Sequence, residues 1–170
     1  MEFALVPIDE SHVAGFHAAL DTVAREKKYL AFLEAPPVDE IRKFIVGQIE
    51  NRNPAFVALV AGEVVGWCDV TRRPRESRHH CGLLGMALLP AYRGGGIGRA
   101  LMQAAIACAW ERGFTRIELD VREDNVRAIA LYKRLGFEVE GVKRNSLRVD
   151  GTYYDALLMS LLKEGTRRSS

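Results

Sequence analysis

The sequence feature that most constrains the fold is the stretch from Gly85 to Met102, which reads GMALLPAYRGGGIGRALM. An apolar run at 83–89 predicts a buried strand that Pro90 ends, because proline has no N–H group for a strand ladder. Four glycines follow within five residues, and a helical pattern then runs from 97 to 110. A glycine-rich turn at the start of a helix presents free N–H groups and the positive end of the helix dipole to an anion. The stretch therefore predicts a phosphate site.

Two common kinds of phosphate loop do not fit this turn. A nucleoside-triphosphate loop ends in Gly-Lys-Ser/Thr, which the turn lacks. A dinucleotide loop needs glycine or alanine three residues after Gly-x-Gly, and the two possible registers place Arg99 or Leu101 there. The pattern that fits is Arg93-x-x-Gly96-x-Gly98. It resembles the acetyl-CoA pyrophosphate loop of the GCN5-related N-acetyltransferase (GNAT) family, and residues 85–92 resemble that family's fourth strand and its exit.

A second group of residues carries the same resemblance. The family has an Asn soon after its fifth strand, a Tyr seven residues later and then Leu-Gly-Phe, and this chain has Asn125, Tyr132 and Leu-Gly-Phe at 135–137. Seven residues are two helical turns, so the Asn and Tyr side chains share one face of the helix predicted at 126–135. Asn125 is also a plausible cap for that helix, a role compatible with a cofactor contact.

The other patterns predict a single α/β domain over residues 1–163. A strand at 3–8 precedes a helix with Val13, Phe16, Leu20 and Val23 on one stripe, and a second helix at 38–50 follows. The apolar face of this second helix is predicted to hold Ile41, Phe44, Ile45 and Ile49. Further strands are predicted at 55–61, 64–71, 116–121, 137–147 and 153–162.

The order β-α-α-β-β-β-α-β-α-β-β predicts a mixed, mostly antiparallel sheet with one parallel β-α-β crossover and helices on both faces. The same order resembles the acetyltransferase family from end to end. Residues 164–170 are predicted to be a frayed tail.

Composition narrows the functional classes. The formal net charge of +2 gives no argument for nucleic acid or a membrane surface as a partner. The start of the chain lacks the basic region of a signal peptide. The three cysteines are far apart without metal or redox spacing, so we expect buried thiols, no metal and a cytoplasmic protein.

The resemblance implies an acetyl-CoA-dependent N-acetyltransferase with acetyl-CoA as co-substrate. It assigns the pyrophosphate to the turn from Gly94 to Arg99, and the pantetheine to the edge of the strand at 86–88. The N–H of Leu88 would polarise the thioester carbonyl, and Tyr132 would protonate the departing thiolate. The implied cofactor-binding residues are Met86, Ala87, Leu88, Arg93, Gly94, Gly95, Gly96, Ile97, Gly98, Arg99 and Asn125.

Two carboxylates interrupt the strand predicted at 116–121. Ile117, Leu119 and Val121 point to one face, whereas Glu118 and Asp120 point to the other. Several members of the family use an acid at the position of Asp120 as the base, which makes this residue the candidate proton acceptor. The alternative is that Asp120 is only paired with an arginine or solvated. In that case Glu118 or water would be the base.

The acceptor is not encoded in either motif. The C-terminal part resembles bacterial members that acetylate amino acids and other small amines, and also members that modify protein N-termini. We expect a small primary amine and a possible homodimer. The alternatives are a protein N-terminus, or a sensor that binds acetyl-CoA without turning it over.

Overall fold

The computed structural model describes residues 1–166, so part of the predicted tail, 167–170, lies outside the described residues. Its elements follow the predicted order. They are β1 (Ala4–Pro7), α1 (Val13–Ala24), α2 (Val38–Glu50), β2 (Ala55–Val60), β3 (Glu63–Arg72), β4 (Cys81–Leu88), α3 (Ile97–Glu111), β5 (Arg116–Arg122), α4 (Val126–Arg134), β6 (Glu138–Val149) and β7 (Thr152–Leu162). None of the helices in these described residues is both long and apolar enough to cross a membrane.

The strands form a seven-stranded sheet in the order β1-β2-β3-β4-β5-β7-β6. Every neighbouring pair is antiparallel except β4 and β5, which α3 connects as a parallel crossover. The predicted fold class, a single mixed α/β domain, is therefore confirmed. The parallel pairing is short, since its register runs only from Cys81 opposite Arg116 to Leu83 opposite Glu118. β4 continues to Leu88 without β5 beside it, and this divergence creates the cleft described below.

Helices cover both faces of the sheet, as predicted. The first face packs on α3 and α4, with Leu101, Phe114 and Ile117 fully buried between the layers. The second face packs on α1 and α2, where Phe16 lies against Trp67 of β3 with ring centroids 4.6 Å apart. The predicted stripe of α1 is buried at all four positions, Val13, Phe16, Leu20 and Val23. Burial of such side chains stabilises the fold by about 1.5–3 kcal/mol each.

The predicted apolar face of α2 is half wrong. Ile41 and Ile45 are buried, but Phe44 is 37% and Ile49 is 45% exposed. The third inward position belongs to Gln48, which is 2% exposed. Its amide can lie there because it is fully hydrogen-bonded, accepting from Asn53 and donating to Asp69 and Thr71 of β3. Hydrogen bonding therefore overrides hydrophobicity in setting the phase of this helix.

Candidate active site

A cleft of about 730 Å³ opens where β4 and β5 part. Its walls are residues 84–88 of β4 and 119–121 of β5, with the glycine turn and the first turn of α3 at one end. Residues of α1 and its following loop reach the cleft from the other face of the sheet, while α4 contributes Asn125, Ala128 and Tyr132. The cleft therefore passes between the two strands and has access from both faces.

The glycine turn is shaped for an anion. Gly94 and Gly96 have φ of 85° and 88°, a left-handed conformation that glycine adopts without strain. Gly95 has no such φ, and a side chain there would meet no protein atom within 4 Å, so the space beside it is open. The N–H groups of residues 94–99 find no acceptor among the described residues, since helical bonding begins at Ala100. These free donors and the positive end of the α3 dipole are able to hold an anion.

The guanidinium of Arg127 lies beside this turn, and the sequence motifs did not predict it. A side chain at Gly94 would collide with the Nη2 atom of its guanidinium. The residue lies in the first turn of α4, two positions after Asn125, and lines the same cleft. The sequence signal that could have identified Arg127 is its position: it is a positive residue at the start of a helix, shortly after a predicted cofactor residue.

Arg93 lies at the cleft, but the protein itself binds its guanidinium. Its Nε donates to the Leu88 carbonyl at 2.9 Å, and its Nη1 lies 3.0 Å from a carboxylate oxygen of Glu26. The guanidinium also stacks over the ring of Tyr29, 4.5 Å from its centroid. Arg93 therefore links the glycine turn to the loop after α1. Arg99 is exposed at the start of α3 and lines the cleft.

Asn125 and Tyr132 both line the cleft, as their spacing predicted. The Asn125 carbonyl caps α4 by accepting from the Ala128 N–H at 3.2 Å, which leaves its amide NH₂ without an acceptor in the described part of the chain. Tyr132 is 8% exposed. Its hydroxyl has no hydrogen-bond partner there either, yet it is not sealed from solvent, so it faces the cleft. Burial raises the pKa of Tyr132 above its ordinary value, so the phenol stays protonated as an acid must.

The two acids of β5 differ in their surroundings. Glu118 is 5% exposed and accepts hydrogen bonds from Arg73 and Arg116. Burial alone raises the pKa of Glu118, but these two hydrogen bonds outweigh it and hold the pKa below the ordinary value. Glu118 is thus an ion-pair residue and does not line the cleft. Asp120 does line the cleft, is half exposed, and accepts a hydrogen bond from Lys143 at 2.7 Å.

The loop after α1 forms one side of the cleft with Tyr29, Leu30 and Ala31. Lys27 ties this loop to the turn between β6 and β7, with its Nζ 3.0 Å from a carboxylate oxygen of Asp150. Arg122 of β5 donates to the Lys27 carbonyl at 3.0 Å. This loop is therefore tied both to β5 and to the turn between β6 and β7. Among residues 1–166, no three His, Cys, Asp or Glu side chains are grouped as a metal site.

A sequence model of the acetyltransferase (GNAT) family matches residues 16–137 of the chain. The L-amino acid N-acetyltransferase AaaT of Escherichia coli is 39% identical over 112 residues, which cover 64% of this chain and 67% of that enzyme. The alanine N-acetyltransferase of ribosomal protein bS18 from the same species is 38% identical over 79 residues, covering 46% of this chain and 53% of that enzyme. The chain thus spans between half and two thirds of the length of these curated relatives.

Among solved structures, a GNAT superfamily phosphinothricin acetyltransferase from Sinorhizobium meliloti, in complex with acetyl-CoA, superposes with a TM-score of 0.91. The match covers 98% of this chain and 91% of that one at 24% identity. Identity at this level speaks for the fold alone.

Proposed function

Since the chain belongs to the GNAT family of acetyltransferases, we propose that it transfers the acetyl group of acetyl-CoA to the primary amine of a small molecule such as an amino acid. The observation that carries the proposal is a single cleft that joins an anion-binding glycine turn to a buried, protonated tyrosine. A phosphate-bearing thioester needs the first feature, and a thiolate leaving group is helped by the second.

Acetyl-CoA would bind with its pyrophosphate at the glycine turn. The free N–H groups of residues 94–99 supply hydrogen bonds there, and Arg127 supplies a full positive charge beside Gly94. Ile97 starts α3 and is buried, so it fixes the helix end, whereas Gly98 and Arg99 extend the row of donors. The Asn125 amide NH₂ has room for an acceptor on the ligand. In this arrangement Arg93 shapes the turn from behind through its bonds to Leu88 and Glu26.

The pantetheine arm would lie along the edge of β4 that β5 leaves unpaired. Met86, Ala87 and Leu88 form that edge beyond the last parallel register pair. The backbone groups of Met86 and Leu88 face away from β3 and can pair with the pantetheine amides as a neighbouring strand would, with Ala87 between them. A β4 N–H, as the resemblance implies for Leu88, would then donate to the thioester oxygen and stabilise the negative charge that develops on it.

The reaction needs no nucleophilic side chain, because the acceptor amine attacks the thioester carbon directly. The C–N bond forms, the C–S bond breaks, and Tyr132 gives its proton to the departing sulfur. Asp120 at the cleft wall offers a carboxylate to the ammonium form of the acceptor, in competition with Lys143. We retain Asp120 in this role and as a candidate base, and Asp120→Asn should raise KM for cationic amines.

The connected loop after α1 favours a small acceptor over a polypeptide. The Lys27–Asp150 pair holds the loop that lines the cleft with Tyr29, Leu30 and Ala31, so less room is left for a chain to continue past the amine. AaaT acts on L-amino acids by its name, whereas the bS18 enzyme acts on a ribosomal protein. The proposal places this chain with the first class.

The test is acceptor-dependent release of CoA thiol with a panel of free amino acids, other small amines and short peptides. The proposal predicts turnover with one or more free amines and kcat/KM values at least tenfold lower for peptides with the same first residue. Preference for peptides would favour the N-terminal acetyltransferase instead. If acetyl-CoA binds but no acceptor causes release of CoA thiol, the protein would instead be a sensor of acetyl-CoA.

A further inference from the structure

Asp69 of β3 is a buried carboxyl group close to the cleft. The residue is 7% exposed, and its Oδ2 atom accepts hydrogen bonds from Gln48 at 3.1 Å and from Thr71 at 3.3 Å. Oδ1 receives no hydrogen bond from any described residue. No described side-chain oxygen is both sealed from solvent and unpartnered, so Oδ1 remains in reach of water. One oxygen is thus fixed by α2 and β3 while the other is open.

The residue next to Oδ1 is Gly85, which lines the cleft. Gly85 is the register partner of Asp69 on β4, and a Cβ atom there would lie 3.4 Å from Oδ1. That is ordinary contact distance, so a methyl group would occupy the space that now separates the carboxyl from the cleft. Its φ is not positive, and thus the backbone does not demand glycine. Asp69 itself does not line the cleft, but the missing side chain leaves space between Oδ1 and Gly85, which does.

Asp69 also lies on the face of the sheet from which an acceptor can enter. Trp67, two residues earlier in β3, packs on Phe16 of α1, so Asp69 points to the same face. Asp120 points to this face too, because Leu119 is buried on the α3 side. The glycine turn occupies the opposite side, at the start of α3. A donor held at the turn leaves the α1 side for the amine.

We propose that Asp69 is the proton acceptor of the transfer reaction, acting through a water molecule held beside Gly85; this rests on the proposed function. The water passes a proton to Oδ1 as it takes one from the acceptor ammonium, which gives a neutral amine and a carboxylic acid. The amine then attacks the thioester and becomes the amide. The second proton that the nitrogen loses balances the proton that the sulfur takes up. The proton on Asp69 returns to solvent when the product leaves.

The surroundings of Asp69 suit a group that gains and loses a proton near neutral pH. Burial raises the pKa of Asp69 to about 7, while the hydrogen bond from Thr71 acts to lower it. The groups that face it are the amide of Gln48 from α2 and the hydroxyl of Thr71 from its own strand. Its partners on β2 and β4, Ala55 and Gly85, carry no titratable group. The preceding residue, Cys68, lies on the opposite face, where burial and then the charge of Asp69 raise the pKa of its thiol.

The experiment is the pH profile of kcat/KM for the wild-type protein, Asp69→Asn and Thr71→Val. The wild type should show an acidic limb near pH 7 that does not move when the acceptor is replaced by one with a different amine pKa. Asp69→Asn should remove this limb and lower kcat/KM at pH 7 by about 100-fold, in the range of general base catalysis. Thr71→Val should move the limb to higher pH, because the carboxylate loses a stabilising hydrogen bond.

Asp120→Asn decides between the two carboxylates: its profile should keep the limb, and loss of the limb in this variant would make Asp120 the base instead of Asp69. An Asp69→Asn protein that retains the limb, or a Thr71→Val limb that stays in place, would reduce Asp69 to a structural partner of Gln48. If Asp69→Asn does not fold, Thr71→Val decides alone. If the wild type releases no thiol with any amine, the proposed function itself is wrong. If thiol is released but Asp69→Asn leaves the limb unchanged, only the role of Asp69 is wrong.

Discussion

Replacing Tyr132 by Phe isolates the hydroxyl that the cleft leaves free. The ring packs against Phe137 with centroids 6.0 Å apart, and this contact survives the change. The hydroxyl has no partner among the described residues, so its removal breaks no hydrogen bond within them. The free energy of unfolding should change by less than about 1 kcal/mol, which in a chain of this size shifts Tm by no more than about 4 °C.

Catalysis should suffer more than stability. A CoA thiol has a pKa near ~8.5 and an ordinary phenol near ~10, so giving the phenol proton to a free thiolate is uphill by at least ~1.5 units, or ~2 kcal/mol. Burial raises the pKa of Tyr132 further and widens this gap. The tyrosine can therefore assist expulsion of the thiolate without being indispensable. We expect turnover to fall by roughly 10- to 1000-fold.

The assay is thiol release at saturating amine over a range of acetyl-CoA concentrations, with acetyl-CoA affinity measured separately by calorimetry. Affinity should stay within about threefold of wild type, so that the loss appears in kcat. Tyr92→Phe is the matched control, because Tyr92 precedes the glycine turn but does not line the cleft. Weakened acetyl-CoA binding with unchanged kcat would refute the acid role and make Tyr132 a cofactor contact.

Three further variants test other parts of the site. Gly96→Asp puts a strained φ and a negative charge at the anion site, and should abolish the rise in Tm that acetyl-CoA gives the wild type; a normal shift in a folded variant would contradict the loop assignment. Arg127→Ala should raise the Kd for acetyl-CoA about tenfold and make binding less sensitive to salt, whereas Arg144→Ala, on exposed β6, should do neither. The pKa of Asp69 is about 7 in the folded protein, against an ordinary value of 3.8. The contribution of its protonated form to the free energy of unfolding is therefore complete below about pH 4 and is lost as the pH rises through 7. Asp69→Asn should therefore raise Tm relative to wild type at pH 8 more than at pH 5, and an equal effect at both values would show that the carboxyl is not buried as an acid.

The order of elements and the position of the cleft were predictable from the sequence because both follow from local patterns. Period-two and helical spacing gave the strands and helices, and the glycine turn gave the one parallel crossover. Asn125 and Tyr132 were found together because two helical turns separate them. These are properties of neighbours along the chain.

The partners of each charged group were not predictable, because they depend on contacts between distant segments. Arg93 was expected to face phosphate, yet Glu26, which lies 67 residues away in sequence, binds its guanidinium. Arg127 reaches Gly94 only because the fold brings the start of α4 beside the glycine turn. No local pattern marks Gln48 as an inward position of α2, since its partners lie on β3. Such residues have no local signature that separates a surface charge from a site residue.

The early parting of β4 and β5 has a mechanical consequence. Three register pairs and the crossover helix join two leaves of sheet, one of four strands and one of three. A ligand arm that bonded to the open edge of β4 would serve as a temporary strand, so the sheet would be completed on binding and undone on release. The amide hydrogens of residues 84, 86 and 88, which face away from β3, would then exchange with solvent at rates that follow the catalytic cycle, and the protein would be stiffest when it is ready to react.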